Sequence, residues 1–244
     1  MYLENDDTVV KTLYWAGFFA GWEASSLRLW SALAANARSV LDIGAYTGIY
    51  GLLAATTNAQ ATVYCFEGSR RNFERVRKNV TLNGLSDRIT STHAIVCDKD
   101  GEGVLYEIYA ADNILSSVHS ITKQKGTPTA VRSVSLDGFF EGNDQIDLIK
   151  IDVEGAEEMV LKGAQNVLAR CLPDLLLEAN SPVELEKTWG FVPPAYTCFS
   201  IAENMVTVNE VKRTDLALLS RLSDRNFLFS AKRTQSDLRA LITA

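Results

Sequence analysis

Proline is scarce, 5 in 244 residues, and glycine stands at only 15, which excludes collagen and low-complexity disorder. The four cysteines, Cys65, Cys97, Cys171 and Cys198, lie far apart without a C-x-x-C pair. That excludes a zinc ribbon and argues against a disulfide scaffold, so reduced thiols in a cytoplasmic protein are the expectation. Basic charge is short as well: Lys and Arg number 24 against 30 Asp and Glu, a net charge of −6. Phosphate backbones attract cations, so no nucleic-acid partner is expected. Glu4, Asp6 and Asp7 stand where a signal peptide carries positive charge. Two runs lack charge. Thr12–Trp22 is shorter than the ~20 residues a membrane helix needs. Ile43–Phe66 is long enough, but Gly44, Gly48, Gly51, Thr56, Thr57, Asn58 and Gln60 interrupt it, so it reads as strand, turn, helix and strand and no stable membrane insertion is expected.

What the chain does have is 47% hydrophobic residues over a length that buries a core without staples, as one large domain with embellishments. Residues 8–36 read as helical with a break around Gly17 and Gly21, and three of the four tryptophans, Trp15, Trp22 and Trp30, fall there. From residue 38 short apolar runs alternate with amphipathic helices. Strands are expected at Ser39–Ile43, Ala61–Phe66, Arg88–Val96, Ile146–Asp152 and Asp174–Glu178. Helices are expected over 48–56, from a Ser69 cap to Asn83-Gly84 with the stripe Phe73, Val76, Val80, and over 155–169. That alternation implies βαβ units and a parallel, doubly wound sheet. Tyr196–Ile201 and Asn226–Lys232 read as closing, antiparallel strands, and 101–145, with β-like runs Val104–Tyr109 and Val131–Leu136, as an insertion on the sheet. Domain limits follow: a helical cap over 1–37 within the same domain, and the main body over 38–244.

Two places carry chemistry. Val40-Leu41-Asp42-Ile43-Gly44-Ala45-Tyr46-Thr47-Gly48 is a strand entering a glycine turn and a helix, and ligands of open α/β sheets bind at such strand ends. The G-x-G-x-x-G fingerprint fails because 46 is Tyr and 49 is Ile, and no P-loop occurs. Glu67, 19 residues beyond Gly48, stands where an acid reaches the ribose of a nucleoside bound over that turn. In Ile146–Glu157, Lys150 and Asp152 project from one face of a strand. They form either a structural ion pair or a charged wall of the ligand crevice.

LDIGAYTG, FEGSRRNFERVRKNVTLNG, VSLDGFF and IDLIKIDVEGAEEMVLKGA together resemble the FkbM family of S-adenosylmethionine-dependent methyltransferases over about residues 38–180, and Arg225–Phe229 resembles its closing strand. The resemblance implies a class I methyltransferase (Rossmann-like) α/β fold: a doubly wound seven-stranded sheet, ordered 3-2-1-4-5-7-6, mostly parallel with an antiparallel closing strand. It also implies S-adenosyl-L-methionine as cofactor and O-methylation of a hydroxylated small molecule, a sugar or natural product. Asp42, Gly44, Ala45, Tyr46, Thr47 and Gly48 would cradle the methionine part, with Tyr46 replacing a glycine common in the broader D-x-G-x-G-x-G pattern. Glu67 would hold the ribose, Gly68, Ala94 and Ile95 would line the adenine, and Asn72 would sit near the adenosine. Asp152 is the first candidate for general base or anchor of the cofactor amine, supported by Lys150, Glu154 and Glu178. His119, in the inserted loop, is a second candidate base or a surface residue. Oxygens of Asp152, Glu178 and Asn180 could suit Mg²⁺, but no metal is assigned. The aromatic cap either packs on the sheet edge, covers the acceptor as a lid, or touches a membrane. N-methylation and a non-catalytic cofactor-binding module remain alternatives, and a homo-oligomer is compatible with the chain.

Overall fold

The computed structural model describes residues 8–109, 114–118, 127–142, 144–216, 222 and 224–243. Its strands are β1 (Ser39–Ile43), β2 (Thr62–Glu67), β3 (Ile89–His93), β4 (Ile95–Val96), β5 (Gly101–Tyr109), β6 (Ile114–Val118), β7 (Thr127–Val134), β8 (Leu148–Ile151), β9 (Asp174–Glu178), β10 (Thr197–Ala202), β11 (Thr207–Val211) and β12 (Asn226–Ser230). The main sheet runs β11-β10-β12-β9-β8-β1-β2-β3. The pairings from β3 through β9 are parallel, whereas β12 runs antiparallel to both β9 and β10. The expected order 3-2-1-4-5-7-6 is therefore present, with one strand more than expected. That strand, β11, pairs antiparallel with β10. It escapes a sequence reading because only Val208 of Thr-Val-Asn-Glu-Val is buried.

Alternation across the pleat builds three layers. Leu41, Ile43, Ile149, Ile151, Leu175, Leu177, Phe227 and Phe229 face one core, shared with the helices Glu157–Lys162 and Gln165–Cys171. Val40, Leu148, Leu176 and Leu228 face the other, under the helices Ala24–Ala34, Ile49–Thr57 and Gln235–Thr243. The N-terminal helix Ala24–Ala34 thus covers a face of the sheet rather than its edge, with Leu27, Leu29, Trp30 and Leu33 buried. The turn after Ala16 contains Gly17 and Gly21, where the break was expected.

Four expectations need correction. The strand expected over Arg88–Val96 divides at Ala94: β3 stays in the main sheet, while β4 leaves to pair with β7. Gly68 permits this, since a Cβ there would stand 2.6 Å from the Ile95 side chain. The 101–145 segment is not laid on the main sheet but forms a second sheet, β4-β7-β5-β6, with β6 an additional strand. The helix expected over 155–169 begins only at Glu157 and breaks at Gly163, where a Cβ would lie 2.0 Å from the Cys97 carbonyl oxygen. That close contact explains why glycine is needed there. Ser69 holds the N-cap position of the helix Arg70–Leu82, yet its side chain makes no cap hydrogen bond. Among the described residues, no helix is long and apolar enough to cross a membrane.

Candidate active site

β1 hands over to the helix Ile49–Thr57 through a turn in which Gly44, Tyr46 and Gly48 all have positive φ, 77°, 53° and 83°. Gly44 has two reasons to be glycine: its φ, and a Cβ position only 1.8 Å from the carbonyl oxygen of Asp152. Tyr46 keeps the left-handed backbone that a glycine would supply, at a cost on the order of 1–2 kcal/mol. Its ring lies 5.1 Å from the Arg75 guanidinium and its N–H donates to Glu67 Oε2 at 2.7 Å. Both contacts offset the strain.

The turn opens on a cavity of about 390 Å³ at the carboxyl ends of β1, β2 and β8. At one end, Asp42, Gly44, Ala45 and Tyr46 line it with Glu67, Gly68, Asn72, Ala94 and Ile95. Glu67 also accepts from the N–H of Ser69 at 2.8 Å. Burial pushes its carboxyl up to about 7, against the pull of the two N–H donors. Two bonds leave a carboxylate further acceptor sites. Asn72 is 2% exposed and its Oδ1 has no hydrogen-bond partner. Buried polar atoms are normally satisfied, so an orphaned acceptor on a cavity wall marks where a ligand donor fits. The set therefore suits a nucleoside: an acid for ribose hydroxyls, a vacant acceptor, and an apolar wall of Ile95 and Leu105. Asp42 lies below, accepting from Gly51 N–H at 2.8 Å, with burial raising its carboxyl to about 6.

The other end is charged. Lys150, 1% exposed, pairs with Asp42 in the β1–β8 register and faces the helix Ile49–Thr57. Its Nζ lies 3.5 Å from Asp152 Oδ2 and 5.2 Å from the centre of the Tyr50 ring. Burial alone would lower its pKa, but Asp152, Glu23, Glu178 and Asp42 outweigh it and hold Lys150 above its ordinary value. Glu178, at the end of β9, is raised by burial and then by its neighbour Asp152, and meets Arg225 at 3.0 Å. Glu154, exposed with φ 52°, sits at the rim. Glu157 closes the loop after β8 by accepting from Val153 and Gly155 N–H.

Thirteen expected residues are thus brought to one cavity, and two are not. Thr47 is wholly buried, with its carbonyl accepting from Asn79, and Gly48 serves as N-cap of the helix. His119 lies outside the described residues. Asn180 Oδ1 accepts from Arg225, which also meets Glu178, and Asp152 already faces Lys150, so the oxygens considered for Mg²⁺ face cations of the protein. Among the described residues, no group of three or more His, Cys, Asp or Glu is arranged for a metal.

Sequence reasoning missed Val9, Glu23, Tyr50, Leu105 and Arg225, all on the cavity wall, and placed Trp22, also on that wall, only as part of the aromatic cap. Tyr50 was within reach, two residues past the glycine turn, on the first turn of the following helix. Its hydroxyl donates to Glu23 Oε2 at 2.6 Å, and its carbonyl accepts from Trp30 Nε1. Glu23 and Trp22 carry no motif; their place follows only from the packing of the cap.

The profile of the methyltransferase FkbM domain family matches residues 42–227. A curated protein of Jannaschia sp. (strain CCS1), carrying a provisional methyltransferase designation, is 22% identical over 181 residues, 68% of this chain and 64% of that protein. The chain therefore spans less than two thirds of that relative. Among solved structures, methyltransferase FkbM from Methylobacillus flagellatus KT is 16% identical with a TM-score of 0.49, over 79% of this chain and 43% of that one. An O-methyltransferase from Bacillus cereus in complex with SAH is 12% identical with a TM-score of 0.46, over 84% and 78%.

Proposed function

The chain belongs to the methyltransferase FkbM domain family, and from that premise we propose that it transfers the methyl group of S-adenosyl-L-methionine to a hydroxyl of a small neutral molecule, a sugar or natural product. The observation that carries this reading is the single cavity in which a glycine turn, Glu67 and the orphaned Asn72 acceptor adjoin a second, charged compartment. The cofactor, when bound, supplies an electrophilic methyl group on a sulfonium.

The chain's own residues do the rest. Glu67 accepts from ribose hydroxyls and Asn72 Oδ1 from an adenosine donor, while Gly68, Ala94 and Ile95 flank the base. Alignment of two reactants can account for ~7–11 kcal/mol of a barrier. A sugar hydroxyl is a weak acid, so a base must take its proton as transfer proceeds. Asp152 fits: its side chain is 24% exposed, against 11% for Glu178, and Lys150 stands beside it. Glu178 lies deeper and is engaged by Arg225, which leaves the more exposed Asp152 to receive the proton. Val9 and Trp22, from the cap, line the cavity. The net charge of −6 suits a neutral acceptor better than a nucleic acid, and no cysteine among Cys65, Cys97, Cys171 and Cys198 is paired, in keeping with a cytoplasmic enzyme.

Calorimetric titration with S-adenosylhomocysteine tests the cofactor, and methyl transfer from labelled S-adenosylmethionine to a panel of hydroxylated acceptors tests the reaction. Binding that is lost in Glu67→Ala is expected. No affinity in the wild type sinks the reading; affinity without turnover on any hydroxylated acceptor leaves a binding module.

A further inference from the structure

The charged end of the cavity is completed from outside the family-matched stretch 42–227: Val9, Trp22 and Glu23 all come from the cap. Glu23 has an uncommon backbone, φ 47° and ψ 38°, in the left-handed region. Strain of that kind persists only where surrounding structure imposes it, and it gathers at ligand sites. Here it turns the carboxylate off the start of the helix Ala24–Ala34 and toward Tyr50, whose hydroxyl occupies Oε2. Asn226, beside Glu178 in the β9–β12 register, hydrogen-bonds the same carboxylate. Its Oδ1, in a residue 2% exposed, has no partner. The two cations of this compartment already face carboxylates, Lys150 on Asp152 and Arg225 on Glu178. What the compartment leaves over is therefore acceptor capacity, on Asp152, on Asn226 and on Glu23, whose carboxyl burial raises above its ordinary value while Lys150 and the hydrogen bonds of Tyr50 and Asn226 oppose the rise. An acceptor-rich wall selects a donor-rich ligand, because an unmatched buried acceptor costs more than a matched one returns. The Trp22 indole, edge-on to Tyr50 at 6.3 Å, adds an apolar surface for a ring.

We propose that Glu23 determines acceptor specificity: its carboxylate receives a hydrogen bond from a second hydroxyl of the acceptor, adjacent to the hydroxyl that faces Asp152, so that substrates carry two neighbouring hydroxyls on a ring. The assignment rests on the methyltransferase reading above. It gives the cap a chemical role beyond covering the sheet. One hydroxyl goes to the base, its neighbour to Glu23, and the pair fixes which oxygen is presented for methylation.

The test uses the full chain saturated with S-adenosylhomocysteine, titrated with cis-1,2-cyclohexanediol and with cyclohexanol by ligand-observed NMR. A hydrogen bond to a charged group predicts that the diol binds about tenfold more tightly than the mono-alcohol. Glu23→Gln keeps an oxygen for the Tyr50 hydroxyl but loses the charge; the preference should shrink to about twofold while S-adenosylhomocysteine affinity stays as in the wild type. Tyr50→Phe removes the Tyr50–Glu23 bond and leaves the carboxylate, so it should retain the preference. A Glu23 that merely held Tyr50 in place would instead keep the preference in Glu23→Gln and lose it in Tyr50→Phe. Wild type without diol preference, or Glu23→Gln with the preference intact, overturns the assignment while the cofactor reading stands. Absence of S-adenosylhomocysteine affinity overturns both.

Discussion

The two ends of the cavity are made in different ways. The end between the Gly44 turn and Glu67 is backbone work: Gly44 and Ala45 N–H donate to the Phe66 carbonyl, while Tyr46 and Ser69 N–H close on Glu67. Two adjacent strand ends, β1 and β2, supply its turn and its acid, with Asn72, Ile95 and Leu105 as further walls. The other end is side-chain work. It takes Glu23 from the cap, Tyr50 from a helix, Lys150 from β8 and Asp152 from the residue after it, Glu178 from β9 and Arg225 from the approach to β12. Backbone sites fail as units, because one misplaced carbonyl shifts every donor beside it. Charge clusters fail by degrees, because neighbours share the load. Substitutions at the two ends should therefore differ in kind as well as in size.

The largest effect belongs to Gly44→Ala. The added Cβ has 1.8 Å to the Asp152 carbonyl and a φ of 77° to adopt, so β1 and β8 must separate or the turn must refold. The expected loss is roughly 3 kcal/mol or more, a fall in Tm of about 10 °C, with no measurable S-adenosylhomocysteine binding by calorimetry. An alanine variant that melts and binds like the wild type would show that backbone geometry does not set this end.

Asp152→Asn comes next. It keeps the shape and removes the base, so kcat should drop by about 10²–10⁴ with cofactor affinity within about threefold. Loss of cofactor affinity instead would make Asp152 an anchor for the cofactor amine and move it to the first end, breaking the division drawn above.

The same division explains what was legible in the chain. β1 and β9 match their expected limits, Ser39–Ile43 and Asp174–Glu178, because each is a short apolar run bounded by turn chemistry. The Gly44 turn and Glu67 are contiguous motifs whose spacing reflects one βαβ unit, so the nucleoside end could be read directly. Glu23 could not. It meets Lys150 across 127 positions of chain, and only the packing of Trp30 and Leu33 against the sheet brings it there. The split of the expected third strand had a cause of the same kind, since Gly68 and Ile95 become neighbours only after β2 and β4 are in place. Local rules fail where the deciding contact is distant.

A smaller effect appears in the pH dependence of stability. Burial raises Glu67 to about 7, Glu157 to about 7 and Asp42 to about 6, all above their ordinary 4.5 and 3.8. The folded state then binds protons more tightly than the unfolded one, so the stability these groups contribute is full below their unfolded values and is lost as pH rises through 6 to 7. Tm should fall between pH 5 and pH 8. Glu178, raised by burial and by Asp152 to about 9, adds to the same fall and extends it toward pH 9, whereas the contribution of the raised Lys150 is lost only at more alkaline pH. Glu67→Gln should flatten the fall by about 3 °C in thermal melts across that range. An unchanged slope would mean that Glu67 is not buried with its proton.

Arg225→Ala should have the least effect. The guanidinium reaches Glu178 at 3.0 Å, but its side chain is 62% exposed and solvent screens the pair. An ion pair of that kind contributes ~0–1 kcal/mol, so Tm should move by no more than about 3 °C. Arg225 lies on the charged end of the wall, so S-adenosylhomocysteine affinity should not change at all. Any difference should appear in the acceptor KM, because Arg225 stands on the cavity wall at the charged end. Calorimetry and an acceptor titration on the same variant separate these outcomes. A fall in cofactor affinity would show that the ends communicate through Glu178 and Asp152, and that the charge cluster is part of the cofactor site rather than its neighbour.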